Sequence, residues 1–86
     1  MKKYKLTEET KIIDGKELYR IEALKDFGSV KKGEKGGWIE KESNLSQNGD
    51  AWVYGDAWIC GYAKISGDDK IQDGIIWISK YEKKSN

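Results

Sequence analysis

Residues 49–72 read GDAWVY GDAWIC GYAKIS GDDKIQ, and this rhythm of six decides the fold. Glycine returns at Gly49, Gly55, Gly61 and Gly67; alanine returns at Ala51, Ala57 and Ala63, with Asp69 breaking the series; an aliphatic returns at Val53, Ile59, Ile65 and Ile71. A period of six is too long for a helical turn and fits no heptad. It suits a short extended segment followed by a corner, with the small residue and the aliphatic pointing the same way by two-residue alternation. Units of this kind bury their apolar faces against the next coil, so the repeat specifies a solenoid. Three segments close a triangular coil of about 18 residues.

The pattern resembles the left-handed parallel β-helix of hexapeptide-repeat proteins, whose units place an aliphatic inside, a small residue four positions later and glycine near the corner. Val53 to Ala57, Ile59 to Ala63 and Ile65 to Asp69 keep that offset. Leu45 and Ile39, one and two repeat lengths before Ala51, extend the pattern backward. Trp77, three repeat lengths after Ile59, extends it forward to about two coils. The expected fold is all-β: a short left-handed parallel β-helix stub under an N-terminal β-hairpin cap. Exposed coil ends are parallel strand edges that invite pairing, so caps or self-association are expected.

The cap is read from Asp14-Gly15, which sits between Lys11-Ile12-Ile13 and the run from Glu17 to Leu24. Asp-Gly places both turn residues at positive φ, the geometry of a tight hairpin. Tyr19, Ile21 and Ala23 alternate with Arg20 and Glu22 as a half-buried strand should, and Tyr4 and Leu6 belong to an earlier strand of the same sheet. Residues 25–37, KDFGSVKKGEKGG, read as a solvated loop. One domain is therefore expected, with a hairpin cap and basic Gly-rich loop at 1–36, a solenoid at 37–78 and a basic tail at 79–86. The stretch from Leu18 to Ala57, with GGWIE and NLS between loop and repeats, also resembles a group of small phage and prophage proteins; that resemblance implies a viral setting.

Composition removes several kinds of chemistry. The 86 residues include no histidine, which excludes Ser/His and Cys/His pairs, the commonest general base near neutral pH and the usual zinc sites. Cys60 is the single cysteine, so no disulfide forms within the chain, and a reducing cytoplasm is the expected compartment. The start MKKYKLTEETK lacks the apolar core of a secretory signal, and no stretch is long enough to span a membrane. With 16 basic against 15 acidic residues the net charge is +1, so no global field draws the chain to nucleic acid, whose binding is left open as a local matter.

Four groups of residues are candidate sites. Each tryptophan precedes an aliphatic, so alternation turns Trp52 and Trp58 outward when Val53 and Ile59 point in; with Tyr54 and Tyr62 they form the expected protein interface. Trp38 and Trp77 are expected to lie under the cap or tail. Lys31, Lys32 and Lys35 form a basic cluster, and Lys64 and Lys70 lie near the aromatic faces; all five are candidate anion contacts. GSVKKGEK fails the P-loop pattern because Glu34 follows Gly33. Asp50 is expected to stack over Asp68 one strand spacing away, which reads as corner solvation before any weak cation site. No metal or cofactor is expected.

Hexapeptide-repeat proteins are best known as acyltransferases, and the resemblance implies that activity. Such enzymes generally use a histidine base in a site shared over many coils, and on that ground acyl transfer is set aside here. The leading expectation is a non-enzymatic binding protein that self-associates and blocks a host protein, with anti-CRISPR inhibition of a defence effector as its concrete form. A sponge for a nucleotide signal, using Trp52, Trp58, Lys64 and Lys70, and a structural or assembly component are the alternatives.

Overall fold

The structure of the protein is a computed structural model that describes residues 2–78. It is all-β, with seven strands and one short 3-10 turn at Glu42–Asn44. Strands β1 (Tyr4–Ile13) and β2 (Lys16–Ala23) form the hairpin about Asp14-Gly15, where both residues have positive φ, at 52° and 77°. Strand β3 (Lys35–Ile39) pairs antiparallel with β2 on one side and parallel with β5 (Trp58–Gly61) on the other, and β5 pairs parallel with β7 (Ile75–Ile78). The result is one mixed sheet in the order β1-β2-β3-β5-β7.

Two further parallel contacts join the repeats. Strand β4 (Trp52–Val53) lies beside β6 (Lys70–Ile71), and Leu45 makes a bridge with Ile65. The chain thus visits three ladders in turn: Ile39, Ile59 and Ile76 on the first, Leu45 and Ile65 on the second, Val53 and Ile71 on the third. Steps between these aliphatics are six residues from Val53 through Ile71, eight from Leu45 to Val53 and five from Ile71 to Ile76. The long step makes the pass from Ile39 to Ile59 longer than the pass from Val53 to Ile71, which keeps the strict repeat. The short step corrects the expected place of Trp77. Ile76 follows Ile59 on its ladder, and Trp77 stands opposite Cys60.

Ile39, Val53 and Ile59 are fully buried and share one apolar core with Tyr4, Ile21 and Val30 of the hairpin and its loop. Burial of a side chain of this size is worth roughly 1.5–3 kcal/mol, and most of the core consists of such contacts. Close approach of β3 to β4 is what joins hairpin to repeats. A Cβ on Gly36 would lie 2.5 Å from the Val53 carbonyl oxygen and 2.8 Å from both Ile21 and Trp52; one on Gly37 would lie 2.5 Å from the Ala57 carbonyl oxygen. The paired glycines before Trp38 are therefore required for space. At Gly49, φ is +73° and a Cβ would lie 2.6 Å from the Gly67 carbonyl oxygen, so that corner requires both the left-handed backbone and the missing side chain.

Residues 25–37 are tied down. The Phe27 and Val30 backbones bond to each other, the Lys31 N–H donates to Glu34 Oε1, the Lys32 N–H donates to Asp26 Oδ1, and the Gly33 N–H donates to the Ala23 carbonyl. The expectation of a solvated loop misses these short-range carboxylate acceptors, which are of the kind that order turns. The basic tail 79–86 lies outside the described residues.

Replacing Gly36 by alanine should force the β3 backbone away from Val53 and Trp52 and lower unfolding stability by about 1–3 kcal/mol, as overpacking does. Gly33→Ala, where no atom crowds the Cβ, should show only the smaller strain of its positive φ. Urea denaturation of the two variants compares the effects directly.

Candidate functional site

The residues singled out as an outward aromatic surface divide on folding. Trp52 is fully buried, with its ring 6.2 Å from that of Tyr4 and 5.2 Å from that of Phe27, both at an edge-on 72°. The expectation that Trp52 faces a partner is corrected: the hairpin and its loop cover the ring within the same chain. Alternation gives the side of the strand correctly but not what lies on that side. Trp58 is half-buried and packs with Leu18, Trp38 and Cys60 in a second cluster, separate from the main core. Trp38 is 5% exposed, with the Lys11 ammonium 4.3 Å and the Arg20 guanidinium 5.2 Å from its ring centre. This agrees with the covering expected of the cap. Tyr54 is half-buried beside Ser29, and Tyr62 is 56% exposed with the Lys41 ammonium 5.4 Å from its ring. The Trp77 side chain lies outside what the structure describes.

The five lysines do not converge. Lys31 and Lys32 are exposed on the ordered loop, Lys35 is 3.7 Å from Glu9 Oε1, and Lys70 stands opposite Trp52 on the third ladder. Lys64 borders a depression of about 360 Å³, together with Glu42, Ser43, Leu45, Ser46, Gln47 and Asn48. It forms where the eight-residue step from Leu45 to Val53 departs from the regular repeat. A second open depression of about 450 Å³ lies over the β1 bulge, where Lys5 and Lys35 share the lining with Glu8, Glu9 and Glu22. Asp50 lies against the cap, its Cβ 3.4 Å from the position a Gly28 Cβ would take. Among the described residues no group of three acidic or cysteine side chains is arranged to hold a metal ion.

Two buried polar side chains absent from the candidates read in the sequence hold this region in place. Asn44 is fully buried; its Oδ1 accepts the N–H groups of Glu40 and Lys41, while its Nδ2 donates to the carbonyls of Gly61 and Ala63. One amide thus satisfies four backbone groups on two successive passes of the chain, which explains the asparagine of the NLS stretch. Lys3, 1% exposed, donates to the carbonyls of Gly49 and Ala51 and lies 4.8 Å from the centre of the Phe27 ring. Desolvation pulls its pKa below the ordinary lysine value, and Asp50 opposes that shift. Gln47, inside the long step, accepts the Lys3 and Tyr4 N–H groups and donates to the Tyr4 carbonyl. Composition hints at none of these roles, because each depends on backbone groups that only the fold brings near.

The titratable groups limit the chemistry this arrangement can do. Glu40 accepts the Gly61 N–H at 2.7 Å, and that bond, aided by Lys41 and Lys16, holds its carboxyl below the usual range. Lys2 and Gln47 do the same to Glu42. Both shifts run against a general base, which needs a proton affinity near the operating pH. Burial pushes the Cys60 thiol up, so it is no thiolate nucleophile. What the depression beside Lys64 offers is polar contact: two serine hydroxyls, the Asn48 amide and an ammonium, beside the Glu42 carboxylate and a Gln47 amide already bonded to the cap.

No known protein-family profile matches the chain. A segment 39% identical over 62 residues occurs in a protein of Escherichia coli (strain K12) named uncharacterized acetyltransferase YdcK; it takes in 63% of this chain and 19% of that protein. The chain spans about a fifth of the length of the curated relative it matches. This likeness overturns two expectations, that the chain is not an enzyme and that it is a non-enzymatic inhibitor of a host defence effector. It returns to consideration the acyl transfer that the missing histidine argues against. Among the described residues no helix is long and apolar enough to cross a membrane.

Tyr4 supplies a test of how the cap is held. Its hydroxyl lies between two carbonyl acceptors, that of Leu45 at 2.5 Å and that of Glu42 at 2.9 Å, and burial first, then Glu42, pushes its pKa far above the ordinary tyrosine value. A raised folded pKa gives stability that is complete below the unfolded value near ~10 and is lost as pH rises toward the folded one. Tyr4→Phe should cost about 1–3 kcal/mol at neutral pH by removing the donor to buried carbonyls. The gap between the two proteins should narrow above pH ~10, measured by denaturant unfolding across that range.

Proposed function

We propose that the chain is a β-helical element of an acetyl-transfer protein, its three ladders being built by successive coils of a left-handed parallel β-helix and its task the binding of an acetyl donor. The observation that carries this reading is the return of the chain, pass after pass, to the same three parallel ladders. The 39% likeness to a protein named an acetyltransferase supports it. In transfer from acetyl-coenzyme A, the acceptor nitrogen attacks the thioester carbonyl, the carbon–sulfur bond breaks, and the proton lost by nitrogen ends on the departing thiolate.

This chain's share of that chemistry is to hold and orient the donor. The depression beside Lys64 presents Ser43, Ser46 and Asn48 as hydrogen-bonding groups and one ammonium for a phosphate, against a single carboxylate, Glu42, which is bonded to Lys2 and Gln47. The other lysines are placed less well for that task. Lys35 borders the second depression, where three glutamates repel a phosphate, and Lys31, Lys32 and Lys70 border neither. With no imidazole in the chain and the Glu40 and Glu42 carboxyls held below the usual range, neither of these acids serves as the base, and the acceptor amine enters already unprotonated.

Titration calorimetry with acetyl-coenzyme A should detect binding, and a thiol-release assay with amine acceptors should detect turnover. Lys64→Ala should weaken donor binding about tenfold, equivalent to ~1.4 kcal/mol. Finding no binding and no thiol release with the intact chain would overturn the reading.

A further inference from the structure

We propose that β7 is a dimerisation edge, its outer side pairing antiparallel with the β7 of a second copy of this chain. Two five-stranded sheets then join across a two-fold axis. The proposal does not rest on acetyl transfer and survives if that reading fails.

The two edges of the mixed sheet differ in kind. Among the described residues β1 and β7 stand at its ends. Strand β1 carries Lys5, Glu8, Glu9 and Lys11, and its register shifts between Leu6 and Thr10. Glu9 is held there by Arg20 at 3.4 Å and Lys35 at 3.7 Å. Charges and a bulge on an edge strand are the usual protection against strand addition. Strand β7 has neither. Its sequence is Ile75-Ile76-Trp77-Ile78, without charge, and its register with β5 runs through four consecutive pairs with no shift. The end of the third ladder, β6, is guarded by the exposed Lys70, which follows Asp69.

Burial points the same way. Ile39, Val53 and Ile59 are fully buried, whereas Ile71 and Ile76, the last aliphatics of their ladders among the described residues, are only partly so, and Ile75 is 56% exposed. A strand edge selects a partner that offers backbone donors and acceptors in extended form. A second β7 does so, because antiparallel pairing about a two-fold axis makes each contact twice. The net charge of +1 sets up no long-range repulsion between copies.

Ile12 and Ile75, 66% and 56% exposed at opposite edges of the sheet, make a matched pair of probes. Light scattering coupled to size-exclusion chromatography should give a mass rising to twice that of the chain with concentration. Ile75→Lys should return it to a single chain, and Ile12→Lys should leave it unchanged, with circular dichroism checking that each variant is folded. Amide hydrogen exchange of the unsubstituted protein gives a second reading, expected to slow with concentration at Ile75–Ile78 and not along β1. A single-chain mass at every concentration, a mass beyond two copies, or dissociation by Ile12→Lys in place of Ile75→Lys would overturn the proposal.

Discussion

The contact on which the molecule depends is the seating of Trp52 between the hairpin and the repeats. Its ring lies against Tyr4 and Phe27, and the β3 backbone can approach it only because Gly36 has no side chain. The repeats alone offer few aliphatics, too small a core for a stable domain of this size. By drawing the largest side chain of the repeat into the same cluster as Ile21, Val30 and Tyr4, the fold makes one core out of two thin ones.

Much of this is legible in the residues. The Asp14-Gly15 turn, the alternation of Ile21 and Ala23 with Glu22 in β2 and the aliphatic series from Val53 to Ile71 are local signals that backbone geometry enforces, whereas Leu18, buried in the second cluster, breaks the alternation expected nearer the turn. The membership of Leu45 and Ile39 in the ladders is visible too, but the eight-residue step that sets their register is not, since a step of irregular length leaves no periodic trace. Trp52 escapes a sequence reading for a different reason. Alternation specifies which way a side chain leaves the strand, and only tertiary structure specifies whether something already stands there.

Function follows the same line. The absence of histidine excludes one means of moving a proton and does not exclude a whole activity. Binding needs no imidazole, and of the residues lining the Lys64 depression only Lys64 stands out in the sequence. Asn44 and Lys3 leave no mark in the sequence because the hydrogen-bonding partners of their side chains are backbone groups. Such groups become visible only when the backbone groups they satisfy have been placed in space.

The strap formed by Lys2, Lys3 and Tyr4 has a bearing on how the molecule assembles during synthesis. Lys3 bonds to the Ala51 carbonyl, 48 residues further along, so these residues have no berth until the chain through Ala51 has followed them out of the ribosome. The β1–β2 hairpin can form early from neighbouring residues, yet its amino-terminal end stays undocked meanwhile. Closure over such sequence distances is slow compared with hairpin formation. The order of events is therefore set by topology: the lid is made first and fastened last.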